Sequence, residues 1–192
     1  MTITRPDLSY PVGVISQFMA RPIEEHLQCA QRVLRYVSGT KDRGLLYWTG
    51  TAAHLVGSTD ANWAGNAADR RSTSGYAFSL GSAAIAWSSK KQPTVALSST
   101  EAEYRGAAIA TCEAIWLKRL LRDLQEEASD PTTIYCDNLS NIQLAKNPVV
   151  VKIPGHKRKR SKVRLHRKGH AQRRNGSSPQ CAWSVRAKQV LK

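Results

Sequence analysis

The spacing of hydrophobic positions along this chain changes twice, and the changes divide it. Up to about residue 50 apolar residues recur at helical intervals. Val14, Ile15 and Phe18 share one side of a first helix, for which Asp7 is the N-cap candidate and Pro11 is tolerable in or near the opening turn. Leu27, Ala30, Leu34 and Val37 stripe a second helix. Pro22 suits its start, Glu24 and Glu25 sit where the helix dipole favours acids, and Gly39 ends it. The pair predicts a helical hairpin with no chemical group of its own. From His54 the period falls to two. Residues 55–60 predict a short strand ending in Asp60, and Tyr76, Phe78 and Leu80 alternate with Ala77 and Ser79 as a half-buried strand. Gly81-Ser82 reads as a hairpin turn with glycine first, and residues 84–88 return with Ile85 and Trp87 on one face.

The period then lengthens again. In residues 94–124 Tyr104, Ala108, Cys112 and Ile115 recur at steps of four, four and three, and Leu117, Leu120, Leu121 and Leu124 continue the apolar surface. This phase places Glu101 on the buried face, where an unpaired carboxylate is costly. Glu101 either caps the helix, since Ser98-x-x-Glu101 has capping-box spacing, or holds something positive. Thr100-x-x-Glu103 offers a second capping box in the next frame. Asp130-Pro131 breaks the helix, and residues 132–136 form a β-rich run ending in Asp137. Asn138 can cap a short helix over 139–146, which Asn147-Pro148 stops.

A hairpin flowing into a β–α–β crossover implies an α/β fold, a mixed β-sheet with packed helices. Asp60 and Asp137 lie at strand ends and Glu101 at the entrance of the crossover helix. If the two Asp-bearing strands are neighbours, the three acids converge at one edge of the sheet. Alone, Asp60 reads as a turn starter and Asp137 as a cap. Together they suit magnesium, which takes hard oxygen ligands and keeps several waters. Two such ions can activate a water and stabilise a leaving oxygen on phosphorus.

Composition alters this picture mainly at the C-terminal end. The net charge is +15, yet residues 1–150 hold 15 Lys and Arg against 14 Asp and Glu, while residues 151–192 hold 14 basic residues and no acid. The basic character therefore belongs to the tail, which is interrupted by glycine and proline and is expected to be disordered. Lys157, Arg158, Lys159 and Arg160 read as a nucleic-acid arm or nuclear-import signal. No apolar run approaches the roughly 18 residues of a membrane span, and the first thirty residues lack the order of a signal peptide. Cys29, Cys112, Cys136 and Cys181 show no close pairing and read as free thiols in a reducing intracellular compartment, with no zinc site expected.

Four motifs carry a family likeness: STDANWAG at 58–65, RRSTSGYAFSLGSAAIAWSSKKQ at 70–92, VALSSTEAEYRGAA at 95–108 and YCDN at 135–138. In this order they resemble the ribonuclease H region of copia-type LTR-retrotransposon Pol polyproteins. TRPDLSYPVG at 4–13 and LRYVSGT at 34–40 resemble the segment that joins that family's reverse transcriptase to it. The likeness covers roughly residues 2–148. It implies a ribonuclease-H-like domain over 51–148, after a connection remnant over 1–50 and before a basic tail over 149–192. It also implies hydrolysis of the RNA strand of RNA–DNA hybrids with Mg²⁺, Mn²⁺ being the alternative ion, and the reverse transcriptase of the same polyprotein as partner. Carried over by motif, the metal-binding and catalytic acids fall on Asp60, Glu101 and Asp137, leaving Glu103 as the helix-cap partner. Ser58, Asn62, Arg71, Ser72 and Asn138 are candidates for contact with hybrid backbone.

The family pattern also needs a fourth acid, and here no Asp or Glu follows Asp137. The tail supplies His156, His166 and His170, and imidazole is a poor partner for magnesium. The expectation is a fragment of a decayed element, its reading frame changed near Val150 and its activity impaired. The alternative is a non-catalytic nucleic-acid-binding remnant.

Overall fold

A computed structural model describes residues 2–50, 52–126, 131–146 and 163–167. A 3₁₀ turn at Pro6–Leu8 leads into α1 (Ser9–Ser16) and α2 (Glu24–Ser38). Then follow β1 (Leu55–Asn62), β2 (Thr73–Leu80), β3 (Ala83–Lys91), the long helix α3 (Ser99–Asp123), β4 (Thr132–Cys136), α4 (Leu139–Lys146) and β5 (Val163–Arg167). The strands form one sheet in the order β3-β2-β1-β4-β5. β1, β2 and β3 pair antiparallel, whereas β1 with β4 and β4 with β5 pair parallel. This is the ribonuclease-H-like mixed sheet with packed helices. Gly81 makes the tight β2–β3 turn at φ 60°, a left-handed angle that glycine adopts without strain.

The crossover helix lies unusually near the sheet because its inward face is small. Ala102, Gly106, Ala107, Ala110 and Ala114 are buried, followed by Leu117 and Leu121 where the helix passes over Leu55, Phe78 and Ile134. A side chain at Gly106 would meet Ser74 Oγ at 3.3 Å and Thr59 Oγ1 at 3.5 Å, so the helix backbone rests on β1 and β2. Gln92, itself buried, donates to Ser74 Oγ (2.7 Å) and to the Ala102 carbonyl (2.9 Å), tying the start of α3 to the sheet.

The apolar surface read from the periodicity of α3 is half right: Leu117 and Leu121 are in the core as read, but the N-terminal part of the stripe faces outward. Tyr104, 50% exposed, points outward with Ala108, Cys112 and Leu120, while Ala102, Ala107, Ala110 and Ala114 point in. Large apolar residues dominate a periodicity count, but close packing on a flat sheet selects small ones. The first helix also differs from expectation. Asp7 makes no cap; Arg5 grips its carboxylate through two bonds (3.0 and 2.7 Å), and Tyr36 donates to it at 2.9 Å. Arg5 also donates to the carbonyl and hydroxyl of Thr40, so one charged knot joins the start of the chain to the end of α2. Trp87 Nε1 donates to the Thr2 carbonyl and the Tyr47 hydroxyl to the Ala84 carbonyl, which fastens the N-terminal segment to β3. Finally, disorder was expected throughout 149–192, yet residues 163–167 add β5 alongside the whole of β4, from Thr132↔Val163 to Cys136↔Arg167. The rest of that tail lies outside the described residues.

Candidate active site

Parallel pairing of β1 with β4 runs from Val56↔Thr133 to Ser58↔Tyr135. Two residues further on, the same register brings Asp60 level with Asp137. The opening turns of α3 cross above that point, and the acid that α3 delivers is Glu103. It lies on the inward face, three residues before Gly106 and seven before Ala110, and is 6% exposed. Its Oε1 accepts from the Ala61 N–H of β1 at 3.1 Å. Its Oε2 is buried with no hydrogen-bond partner among the described residues. Burial, followed by the charges of Asp60 and Asp137, raises the Glu103 pKa to about 8 against the opposing pull of the Ala61 N–H, and Asp60 stands near enough to share a proton with it. Glu103, Asp137 and the thiol of Cys136 each offer a ligand atom within 4.8 Å of one another, with Asp137 at the exposed rim. Carboxylates gathered with no paired cation among the described residues are costly to hold ionised, and Glu103 accordingly favours its protonated form.

Glu101, the acid expected here, does other work. Its N–H donates to Ser98 Oγ at 3.1 Å, its Oε2 accepts from the Leu97 N–H at 2.8 Å, and its Oε1 pairs with Arg105 at 2.6 Å. The serine half of Ser98-x-x-Glu101 is realised, with Ser98 as N-cap, while the Glu101 carboxylate reaches one residue further back to the Leu97 N–H, and Glu103 is no cap. Residues two apart on a helix differ by about 200° in direction. Once the small face of α3 meets the sheet, Glu103 points into the site and Glu101 points away from it. Size-weighted periodicity concealed this, although the small residues at 106, 107, 110 and 114 were a usable signal for the phase.

The remaining candidates separate. Asn62 and Arg71 are exposed on the loop side of β1 and β2, Arg71 lying 3.6 Å from Asp69, and Ser58 is half-buried within β1. Ser72 is fully buried and its hydroxyl accepts from the Ala64 N–H at 3.1 Å, so it supports the loop from within and is not available to hybrid backbone. Asn138 caps α4 by accepting from the Asn141 N–H at 2.9 Å. Lys157, Arg158, Lys159 and Arg160 lie outside the described residues. Cys136, read from the sequence only as a free thiol, is buried next to the acids, and the sequence reading missed Asn141, whose buried amide donates to the Cys136 sulfur at 3.4 Å.

No family model matches the chain, and no solved structure matches it. Curated proteins do. The chain is 47% identical over 149 residues, 78% of its length, to a retrovirus-related Pol polyprotein from transposon RE1 of Arabidopsis thaliana. It is 44% identical over 147 residues, 77% of its length, to the corresponding polyprotein from transposon TNT 1-94 of Nicotiana tabacum. These matches cover 10% and 11% of the two polyproteins, so the chain spans about a tenth of the length of these relatives. A third relative, the secreted RxLR effector protein 161 of Plasmopara viticola, is 53% identical over 117 residues, 61% of this chain and 82% of that protein. Among the described residues no helix is long and apolar enough to cross a membrane. With the motifs, the mixed sheet and these relatives in agreement, the chain belongs to the retrovirus-related Pol polyproteins of copia-type transposons.

Proposed function

We propose that the domain built on β1–β4 and α3 is a ribonuclease-H-type site for RNA–DNA hybrids, with hydrolysis weakened by a missing fourth acid. One observation carries the reading: Glu103, buried and with one oxygen that has no hydrogen-bond partner among the described residues, feels the charges of both Asp60 and Asp137 and lies with Asp137 in one group of ligand atoms within 4.8 Å. Asp60, Glu103 and Asp137 supply the hard oxygens that Mg²⁺ prefers, and Mn²⁺ accepts the same set. Bound metal would activate water and stabilise the leaving oxygen on phosphorus. The chain's own contribution is placement. The Ala61 N–H fixes one Glu103 oxygen, Asp137 keeps the rim open to solvent and substrate, and exposed Asn62 and Arg71 lie where phosphate or 2′-hydroxyl groups can be met. No Asp or Glu follows Asp137, so a second ion has fewer anionic ligands, and losing one member of such a set costs orders of magnitude in rate.

The test is cleavage of a labelled RNA–DNA hybrid with Mg²⁺ or Mn²⁺, beside Asp60→Asn, Glu103→Gln and Glu101→Gln. The expected outcome is slow cleavage, better with Mn²⁺, abolished by the first two changes and kept by the third. Cleavage that survives Glu103→Gln would overturn the assignment. A second reading, nucleic-acid binding without catalysis, is favoured by the 14 basic and no acidic residues of 151–192. Salt-sensitive binding with no cleavage under either ion would establish it.

A further inference from the structure

The acid cluster contains a sulfur. Cys136 is the last residue of β4 and is fully buried, and its Sγ shares the 4.8 Å circle with the ligand atoms of Glu103 and Asp137. Two N–H groups address that sulfur: the side-chain amide of Asn141 at 3.4 Å and the backbone N–H of Asn138. These donors fix the direction of the sulfur, as outer partners do for ligands in metal centres, while burial pushes the thiol pKa up, so the sulfur stays protonated until a metal displaces the proton. The third member, Glu103, brings the buried oxygen that has no partner among the described residues. Asp137 is exposed, which leaves an entry path from solvent.

We propose that Glu103, Cys136 and Asp137 form a mixed carboxylate–thiolate centre that binds thiophilic divalent ions of the zinc and cadmium class. The Cys136 thiol releases its proton to solvent as the metal–sulfur bond forms, and the two carboxylates complete a three-ligand protein set with water in the remaining position. Zinc accepts sulfur and oxygen together, whereas magnesium takes oxygen and leaves the sulfur aside. One pocket therefore has two donor sets that overlap at Glu103 and Asp137. A zinc-class ion held there excludes the hard ion and acts as an inhibitor of whatever the hard ion supports. The inference shares two acids with the proposed function but does not depend on cleavage.

The experiment titrates the full chain, with Cys29, Cys112 and Cys181 changed to serine, with Cd²⁺ while following the ultraviolet thiolate-to-metal band. One equivalent of band, lost in Cys136→Ser and weakened roughly tenfold or more by Glu103→Gln, is expected. Thermal shifts provide the second readout: Cys136→Ser should lose the Zn²⁺ shift and keep the Mn²⁺ shift. Circular dichroism identifies any variant that fails to fold, and for such a variant Cys136→Ala replaces the serine change. Absence of the band in folded protein, or an equal Zn²⁺ shift with and without the sulfur, would overturn the proposal. Cleavage without the band would leave the ribonuclease reading standing alone; the band without cleavage would leave the mixed centre standing alone.

Discussion

Glu103 occupies a position that the fold must stabilise at a cost. Its carboxylate is buried beside two other acids, and without a cation the folded state favours its protonated form, with a pKa of about 8 against an ordinary 4.5. A raised folded pKa means that the stability present below the unfolded value is lost as pH rises through the folded one. In chelator, the domain should therefore lose stability between about pH 4.5 and 8, and Glu103→Gln should remove that loss. The variant should gain on the order of 2 kcal/mol at neutral pH by chemical denaturation while losing the melting-temperature shift expected of the parent with Mg²⁺ or Mn²⁺. Glu101 behaves oppositely. Its removal takes away a cap and a half-exposed ion pair, so Glu101→Ala should cost about 1 kcal/mol and leave the metal response intact.

Among the elements, α3 decides the geometry of the site. The strands were legible in the sequence because period-two alternation and turn residues are local signals. Leu55, Tyr76, Phe78, Ile85 and Ile134 fall in strands where the pattern put them. Asp137 follows β4 as read, whereas β1 runs two residues past Asp60 to Asn62. The rotation of the first turns of α3 was not legible, because Tyr104 weighs more than small residues in an apolar count, while the sheet there admits only Ala102, Gly106, Ala107 and Ala110. The same close fit continues across the sheet, where a Cβ on Gly57 would lie 2.3 Å from Phe78 Cε1. Gly57→Ala should displace the Phe78 ring and cost roughly 1–3 kcal/mol, measured by urea denaturation. The N-terminal helices depend on different physics. The Arg5 and Tyr36 bonds hold the Asp7 pKa below its ordinary 3.8, so their stabilisation is full above that value and is lost as pH falls through the lower folded one. Acid should loosen the contact between the chain start and α2, seen as faster amide exchange in residues 5–40, and Asp7→Asn should reproduce the effect at neutral pH.

Taken whole, the molecule joins a nearly neutral body to a strongly basic tail, and β5 shows that the two are not independent. Removing everything after Pro148 would strip the partner from β4 and expose an open edge beside Asp137. A cleaner experiment exchanges Lys157, Arg158, Lys159 and Arg160 for glutamine and leaves the strand in place. Binding to nucleic acid should weaken for all sequences alike, with the dependence of log K on log salt shallower by up to about four charges' worth. An unchanged slope would assign the phosphate contacts to the folded body.

The small inward face of α3 also sets the order in which copies of such an element would erode. Most single-base changes in an alanine or glycine codon enlarge the side chain, and the positions from Ala102 to Ala114 on that face are buried, with Gly106 already close to Ser74 Oγ. The outward face, with its large exposed residues, accepts nearly any replacement. Genetic drift would therefore lift the helix from the sheet, and Glu103 from its neighbours, long before it removed the acids themselves. In a genome full of such copies, the alanine and glycine codons of this helix would be a more sensitive clock of relaxed selection than the codons of Asp60, Glu103 and Asp137.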